Sequence, residues 1–232
     1  MRLAVIPARG GSKRIPRKNL RAFCGKPMIA WSIEAAAAAD CFDRIVVSTD
    51  DAEIAAAGRA HGAEVPFERP AELSDDRTGT VPVIAHAADA CGLEDGDLVC
   101  ALYATAPFVR PEDLRRGLAA MEQGDCAYAL SVTTFPFPIQ RAVRRDGAGR
   151  LEMFDPAQAE ARSQDLEEAW HDAGQFYWGT AGAWRAATPV FAPSSFGVSI
   201  PRVRVQDIDT PEDWERAELM FRLLREGTEG GA

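Results

Sequence analysis

Short apolar runs alternate with longer segments of helical composition through much of the chain. Each run predicts a strand that is buried on both faces, as in a parallel sheet. The predicted strands span residues 3–6, 45–47, 64–65, 98–103, 127–132 and 203–205. The predicted helices span Met28–Ala39 and residues 81–90, 111–121 and 211–224. This alternation predicts an α/β fold, Rossmann-like, with a mostly parallel twisted sheet flanked by helices and ligands at the carboxyl ends of the strands.

Side chains at two predicted helix ends support these boundaries. Asp50, with Glu53 three residues later, is predicted to cap the helix that follows the second strand. Thr210 and Pro211 suit the N-cap and the first position of the last helix.

The alternation breaks between residues 133 and 182. This stretch is rich in proline, aromatic and charged residues, and residues 146–149 predict a hairpin turn. We interpret 133–182 as an insertion within a single domain of residues 1–232.

Composition narrows the class of function. The chain has 26 Lys+Arg against 35 Asp+Glu, a net charge of −9, which argues against nucleic acid as a partner. No apolar run approaches the roughly 18 residues of a membrane span, and the first run is too short for a signal peptide, so no membrane partner is expected. The five cysteines lack the paired spacing of a zinc site and favour free thiols in a reducing cytoplasm.

The first 33 residues differ from this acidic background, because they contain eight basic side chains and no acidic one. The bases surround Gly10-Gly11-Ser12-Lys13, which follows the first predicted strand. Backbone amides made accessible by glycines, together with fixed cations, form the environment that a polyphosphate requires. The segment matches neither the Walker loop nor G-x-G-x-x-G. We therefore predict a triphosphate-binding loop, the alternative being a basic surface loop with two turn glycines.

A pair of acids near the end of the chain is the second candidate for chemistry. Asp207 and Asp209 are two residues apart, so on an extended segment their side chains point the same way. Carboxylates beside a triphosphate are the ligands that Mg²⁺ prefers. The alternative is that both acids only cap the last helix, a role for which Thr210 already suffices.

The basic segment also carries a family resemblance. The run Pro7-Ala8-Arg9-Gly10-Gly11-Ser12-Lys13, followed by Lys18-Asn19 and Gly25-Lys26-Pro27, resembles the cytidylyltransferases that activate nine-carbon keto-sugar acids, the nonulosonic acids. The resemblance covers nearly the whole chain and implies a sheet of the nucleotide-diphospho-sugar transferase type.

The resemblance assigns roles within the loop. It implies that Arg9, Ser12 and Lys13 face the triphosphate of CTP. Lys18 is expected to bind phosphate and stabilise the transition state. The remaining nucleotide-binding positions that it implies are Ala8, Gly10, Gly11 and Asn19.

Three further segments match the family. In the stretch that begins with Arg69-Pro70, the arginine is expected to contact the cytosine side of the nucleotide, and Thr80 to reach the base. Asp207-Ile208-Asp209-Thr210 matches the family's metal segment, with Asp209 the more direct ligand of Mg²⁺, or alternatively Mn²⁺. Tyr103 stands where the sialic acid enzymes have a sugar-contacting glutamine, which implies a different sugar; a buried core tyrosine is the competing interpretation.

The insertion supplies the expected sugar site and subunit contact. The resemblance places Arg162 on the carboxylate of the sugar, for which a guanidinium is well shaped. It places Gln164, Asp172, Gln175 and Tyr177 in the same pocket. The runs FPFPIQRA and HDAGQFYW are more similar to the pseudaminic acid branch than to the sialic acid branch. The family also implies a homodimer built through the insertion, with one subunit completing the pocket of the other.

These observations predict an enzyme that transfers CMP from CTP to the anomeric hydroxyl of a nonulosonic acid, for glycosylation of surface glycans or flagellin. Pseudaminic acid is the preferred substrate, and N-acetylneuraminate and legionaminate are the alternatives. Arg9, Lys18 and Asp209 are the predicted catalytic residues. Two other classes stay open: uridylyl or guanylyl transfer to a sugar phosphate, and a nucleotide-sensing module without catalysis.

Overall fold

The computed structural model describes residues 1–124 and 126–229, and within these it contains a six-stranded sheet. The strands of this sheet are β1 (Arg2–Pro7), β4 (Arg44–Ser48), β5 (Leu98–Leu102), β6 (Tyr128–Thr134), β9 (Trp170–Thr180) and β10 (Ser195–Ser199). Their order across the sheet is β10-β6-β9-β5-β1-β4. Two small hairpins pair β2 (Ala22–Phe23) with β3 (Lys26–Pro27), and β7 (Val143–Arg145) with β8 (Leu151–Met153). Only β9 runs against its neighbours in the main sheet. The mostly parallel α/β prediction is confirmed.

Helices cover both faces of the sheet, as a parallel sheet requires. They are α1 (Met28–Ala39), α2 (Ala52–Ala60), α3 (Thr80–Ala90), α4 (Pro111–Glu122), α5 (Ala181–Arg185) and α6 (Pro211–Glu229). Strand β1 shows the two faces, because Ala4 and Ile6 pack into a core with α1 and α4, whereas Leu3 and Val5 pack into a core with α3 and α5. A third core joins α6 to the β2–β3 hairpin. Among the described helices, none has the length and apolar character needed to cross a membrane.

Several local predictions need correction. The strand predicted at 64–65 is a single bridge between Glu64 and Val46, and the one predicted at 203–205 lies in a 3₁₀ turn, Arg202–Arg204. The cap of α2 is Asp51 and not Asp50. Asp50 instead accepts a hydrogen bond from the Gly10 amide at 3.1 Å, a contact that sequence spacing alone does not indicate.

The segment 133–182, interpreted as an insertion, includes one complete central strand. β9 lies between β5 and β6, and its aromatic side chains alternate between the two main cores, Phe176 and Trp178 on one face and Tyr177 on the other. What projects from the sheet is shorter, residues 135–169, which we call the arm. The hairpin turn in the arm is confirmed, since β7 and β8 pair around it.

Candidate active site

A cavity of about 500 Å³ opens at the carboxyl ends of β1 and β5. This is the edge at which parallel α/β sheets bind their ligands. The lining includes nine of the predicted site residues: Arg9, Ser12, Lys13, Lys18, Asn19, Arg69, Thr80, Tyr103 and Asp209. The structure thus brings the basic loop, the base-binding candidates and one metal-binding candidate into one space.

Acidic residues from distant parts of the chain hold the cations of the loop in place. Asp76 accepts a hydrogen bond from Arg9 at 2.6 Å and also pairs with Lys13. Hydrogen bonds from Lys13 and Arg9 hold the pKa of Asp76 below its ordinary value. Arg9 donates a second bond, at 2.8 Å, to the carbonyl oxygen of Asp75. Both cations are therefore oriented at the rim of the cavity.

The two glycines of the loop, Gly10 and Gly11, differ in the space around them. A Cβ on Gly10 would lie 2.6 Å from Oδ2 of Asp51, so the close approach of the loop to α2 requires glycine there. A Cβ on Gly11 would meet nothing within 4 Å, so packing does not require glycine there. Ala8 is buried, and its amide donates to the carbonyl oxygen of Ser48 at 2.9 Å. The cavity lining includes none of Ala8, Gly10 and Gly11.

Asp209 lies between two basic side chains of the loop. Its Oδ2 pairs with Arg14 at 2.7 Å, and its Oδ1 with Lys18 at 3.3 Å. Lys18 also donates to the carbonyl oxygen of Ile208 at 2.7 Å, which joins the loop to the metal-binding candidate segment. The sequence prediction omitted Arg14, although its place between Lys13 and Lys18 in the basic run is a usable signal.

Asp207 lies next to this cluster, outside the cavity lining. The pKa of Asp207 is raised above its ordinary value, mainly by partial desolvation and secondly by the negative charge of Asp209. The described residues contain no group of three or more His, Cys, Asp or Glu side chains arranged to hold a metal. Two neighbouring carboxylates at a triphosphate cavity nevertheless suit Mg²⁺, because that ion takes one or two carboxylates and completes its shell with phosphate and water oxygens.

The base-binding candidates form another part of the cavity wall. Arg69 is 5% exposed and donates to the carbonyl oxygens of Ser48 and Leu73, while its Nε has no partner within the described residues. Burial lowers the pKa of its guanidinium. Thr80 begins α3, and its hydroxyl lies 3.4 Å from the hydroxyl of Tyr103. Arg69, Thr80 and Tyr103 all line the cavity, and contact of Arg69 and Thr80 with a base stays a prediction.

Part of the predicted sugar pocket adjoins this wall. The rings of Tyr103 and Tyr177 lie 5.5 Å apart, and the hydroxyl of Tyr177 donates to Oδ2 of Asp172. The other oxygen of Asp172 accepts from the Gly174 amide at 2.8 Å, in a turn where Gly174 has φ of 61°. Burial, together with neighbouring Tyr103 and Asp172, raises the pKa of Tyr177, which keeps it protonated.

The other predicted sugar residues lie elsewhere. Gln175 is 3% exposed and outside the cavity lining; its amide donates to the carbonyl oxygen of Arg204 at 2.6 Å, and its Oε1 has no partner among the described residues, so its place in the sugar pocket stays a prediction. Arg162 is exposed and pairs with Asp165 of its own turn at 2.9 Å, and Gln164 is exposed on the same turn. Neither lines the cavity of its own chain.

A mostly parallel sheet, a basic loop after its first strand and carboxylates facing that loop define a nucleotidyltransferase. The family model described as cytidylyltransferase matches residues 3–148. The chain belongs to this cytidylyltransferase family.

Individual relatives agree with this assignment. The chain is 42% identical to the pseudaminic acid cytidylyltransferase of Campylobacter jejuni, over 97% of each chain. It is 32% identical to the CMP-N,N'-diacetyllegionaminic acid synthase of Legionella pneumophila, also over 97% of each. A CMP:2-keto-3-deoxy-manno-octonic acid synthetase solved with CTP shares the fold, with a TM-score of 0.69 at 19% identity over 96% of this chain and 98% of that one.

Proposed function

We propose that this chain transfers CMP from CTP to the anomeric hydroxyl of pseudaminic acid, releasing pyrophosphate. The observation that carries the proposal is one cavity whose lining joins the basic loop to Asp209 and Tyr103. Tyr177 and Asp172 lie outside that lining, and Tyr177 contacts both Tyr103 and Asp172. The 42% identity to a pseudaminic acid enzyme over nearly the full length supports the choice of sugar.

The reaction is an in-line displacement at the α-phosphorus of CTP. The sugar oxygen forms a bond to that phosphorus while the bond to the β-phosphate oxygen breaks, and pyrophosphate leaves. Arg9, Lys13 and Lys18 neutralise the charge that develops on the phosphate oxygens, and Ser12 donates a hydrogen bond. Catalysis of this kind depends on positioning and electrostatics, without a covalent enzyme intermediate.

Asp209 and Asp207 are the residues that we propose hold Mg²⁺, with Mn²⁺ as the alternative ion. When bound, the ion would add positive charge at the triphosphate and favour ionisation of the attacking hydroxyl. Lys18 keeps Asp209 oriented toward the loop through its two contacts, at Oδ1 of Asp209 and at the carbonyl oxygen of Ile208.

Asp172 is proposed to recognise the sugar. Its two oxygens are already held, one by the hydroxyl of Tyr177 and one by the amide of Gly174, so the carboxylate is fixed in direction. Its remaining lone pairs can accept from hydroxyl or amide groups of the substrate. Tyr103 presents a larger and less polar surface than glutamine, which suits a deoxygenated face of the sugar.

The deciding experiment measures pyrophosphate release with CTP and a panel of pseudaminic acid, N-acetylneuraminate and legionaminate. We expect turnover with all components present and the highest kcat/KM with pseudaminic acid. Preference for another of these acids would contradict the choice of sugar alone. Turnover of UTP or GTP with a sugar phosphate, or no turnover with any pair, would contradict cytidylyl transfer.

We further propose that the protein is a homodimer that works in the cytoplasm, where free thiols such as its five cysteines persist. The arm supports the dimer, because it exposes large apolar side chains that a second copy would cover. These side chains are Phe137, Ile139, Val143, Leu151 and Phe154. In such a dimer Arg162, which is 73% exposed, would reach the sugar carboxylate in the cavity of the partner.

Mixing two impaired variants, assayed at a pseudaminic acid concentration well below the wild-type KM, tests this arrangement. Arg162→Ala removes the proposed arm contact, and Asp209→Ala removes the proposed metal ligand. If the arm acts on the partner, a heterodimer has one complete site of two, so random remixing restores about a quarter of the wild-type activity. If each arm serves the cavity of its own chain, no mixture of the two variants recovers activity. A monomer in light scattering would contradict the dimer itself.

A further inference from the structure

A buried arginine lies just before the metal-binding candidates and has no part in the reaction described above. Arg204 is 8% exposed and belongs to the connection between β10 and α6. Its guanidinium forms a two-pronged ion pair with Asp113 of α4, one nitrogen lying 3.1 Å from Oδ1 and the other contacting Oδ2. Asp113 is itself 3% exposed. A pair buried this deeply requires close geometry to offset the loss of hydration.

Asp113 anchors this pair to the rest of the fold. Its Oδ2 accepts from the Arg110 amide at 3.2 Å, as part of a capping box at the start of α4. Its Oδ1 also accepts from Arg116 at 3.1 Å, and Arg116 in turn donates to the carbonyl oxygen of Ser199 at 2.6 Å. The carboxylate is therefore held by α4 and, through Arg116, is tied to the end of β10.

The backbone of Arg204 is held as well. Gln175 donates to its carbonyl oxygen at 2.6 Å from β9, and the Arg204 amide donates to Pro201 at 2.8 Å. Only two residues separate Arg204 from Asp207, so Asp207 lies within about 10 Å of it along even a fully extended chain. A shift of Arg204 would therefore be passed to the carboxylates.

The far end of the same segment has its own fixed points. Ile208 is 1% exposed and packs with Trp214 in the third core. Asp213 accepts from the Thr210 amide at 2.9 Å and from the Asp209 amide at 3.3 Å. These contacts fix the residues after Asp207, whereas Arg204 is the fixed point before it.

We infer that Arg204 and Asp113 are positioning residues that set where Asp207 and Asp209 lie relative to the triphosphate loop. The inference rests on the proposed metal role of these two carboxylates. The Arg204–Asp113 pair would then be functional although it is buried and contacts neither nucleotide nor sugar. Its effect would reach Asp207 through the short segment that joins Arg204 to Asp207.

The test compares Arg204→Gln and Arg204→Lys with the full-length wild-type protein. Leu118→Ala is the matched control, because it truncates a buried side chain on the same helix as Asp113 without touching the pair. Two quantities are measured: the Mg²⁺ concentration for half-maximal activity at saturating CTP, and hydrogen exchange of the segment 205–210 in protein without metal or nucleotide.

We expect Arg204→Gln to raise the half-saturating Mg²⁺ concentration by about ten-fold or more, as loss of an outer-shell support does at metal sites. Hydrogen exchange of residues 205–210 should become faster, whereas hydrogen exchange of residues 9–13 in the basic loop should stay as in the wild type. Arg204→Lys should lie between the two, because lysine keeps the charge and loses the fork. If Arg204→Gln does not fold, Asp113→Asn, which keeps the shape of the carboxylate, provides the same two measurements.

Unchanged exchange at 205–210 in Arg204→Gln would overturn the inference. An equal shift in Mg²⁺ dependence in Leu118→Ala would also overturn it, since general destabilisation would then suffice. Asp209→Ala, run in parallel, separates the two proposals: retained Mg²⁺ dependence there contradicts the metal role, whereas the exchange measurement still reports whether Arg204 positions the segment.

Discussion

The basic loop and the arm are the two regions expected to bind the substrates, and they are built in opposite ways. The loop lies against the sheet, with Asn19 buried and its cations paired to acids from elsewhere in the chain. Within the described residues the β7–β8 hairpin of the arm pairs with no other strand, and Phe137 is 79% exposed. Arg9 lines the cavity of its own chain, whereas Arg162 contacts only Asp165 among the described residues.

The difference follows from what each region must recognise. A triphosphate carries the same dense charge in every nucleotide, so a short loop of amides and cations beside a strand is sufficient to bind it. A sugar acid offers few charges and many similar hydroxyl groups, so its recognition needs a larger enclosing surface. One chain completes the first kind of site, and we propose that two chains are needed for the second.

The largest effect is expected on the loop side, where Asp209 meets Lys18 and Arg14. Asp209→Ala should lower kcat by about a thousand-fold, because a metal ligand supplies several kcal/mol of charge stabilisation. Glu212→Gln is the matched control, since Glu212 is a nearby exposed acid that pairs only with Arg216 among the described residues. Pyrophosphate release measures kcat of both variants. Near-normal turnover of Asp209→Ala would contradict the proposed role of Asp209 as a metal ligand.

Lys18→Ala should follow, with kcat lower by about a hundred-fold and a smaller change in the KM for CTP, because its charge is expected to act mainly in the transition state. Arg21→Ala serves as the control, since Arg21 belongs to the same basic segment but stacks over Trp214 at 4.6 Å. Equal losses in the two variants would show that net charge of the segment, and not the position of Lys18, determines the rate.

On the arm side the effect should appear in sugar binding. Arg162→Ala should raise the KM for pseudaminic acid by about ten- to a hundred-fold, the range for losing a charge-assisted pair to a carboxylate, and leave the KM for CTP unchanged. Arg150→Ala, on the same exposed arm, is the control. Steady-state kinetics with each substrate varied in turn would reveal an equal rise in the KM for CTP, which would contradict the division between the two regions.

The smallest effect concerns the acid that neutralises the loop. Asp76→Asn should lower the KM for CTP by roughly two- to five-fold, because the triphosphate would no longer compete with a carboxylate for Arg9 and Lys13. Glu72→Gln is the control, an exposed acid four residues before Asp76. A higher KM in the variant would mean that Asp76 orients the two cations more than it competes for them.

The contribution of Asp76 to the stability of the folded protein should depend on pH. The pKa of Asp76 is lowered in the folded protein, so its stabilising contribution is complete above the unfolded-state pKa and is lost as the pH falls through the folded-state pKa. Thermal unfolding of Asp76→Asn should therefore differ from the wild type at neutral pH and converge with it in acid. A difference that persists in acid would have another cause.

Sequence patterns were sufficient for most elements, since strands buried on both faces read as continuous apolar runs. They were insufficient where an element depends on distant partners. β9 pairs with β5 and β6 from far along the chain, and its aromatic residues could equally have lined a pocket. Gln175 shows the same limit, because only its partner Arg204 reveals which way it points.

By itself the sequence predicted a triphosphate-binding loop and a pair of carboxylates suited to a metal, because a basic glycine loop after the first strand and two aspartates two residues apart are local patterns with local physical reasons. The tertiary structure alone decided which acids meet the loop, that Asp76 and Asp209 pair with its cations, and that Arg204 and Asp113 are joined across the fold. Such contacts join residues far apart in the chain, and their geometry depends on packing that no local pattern records.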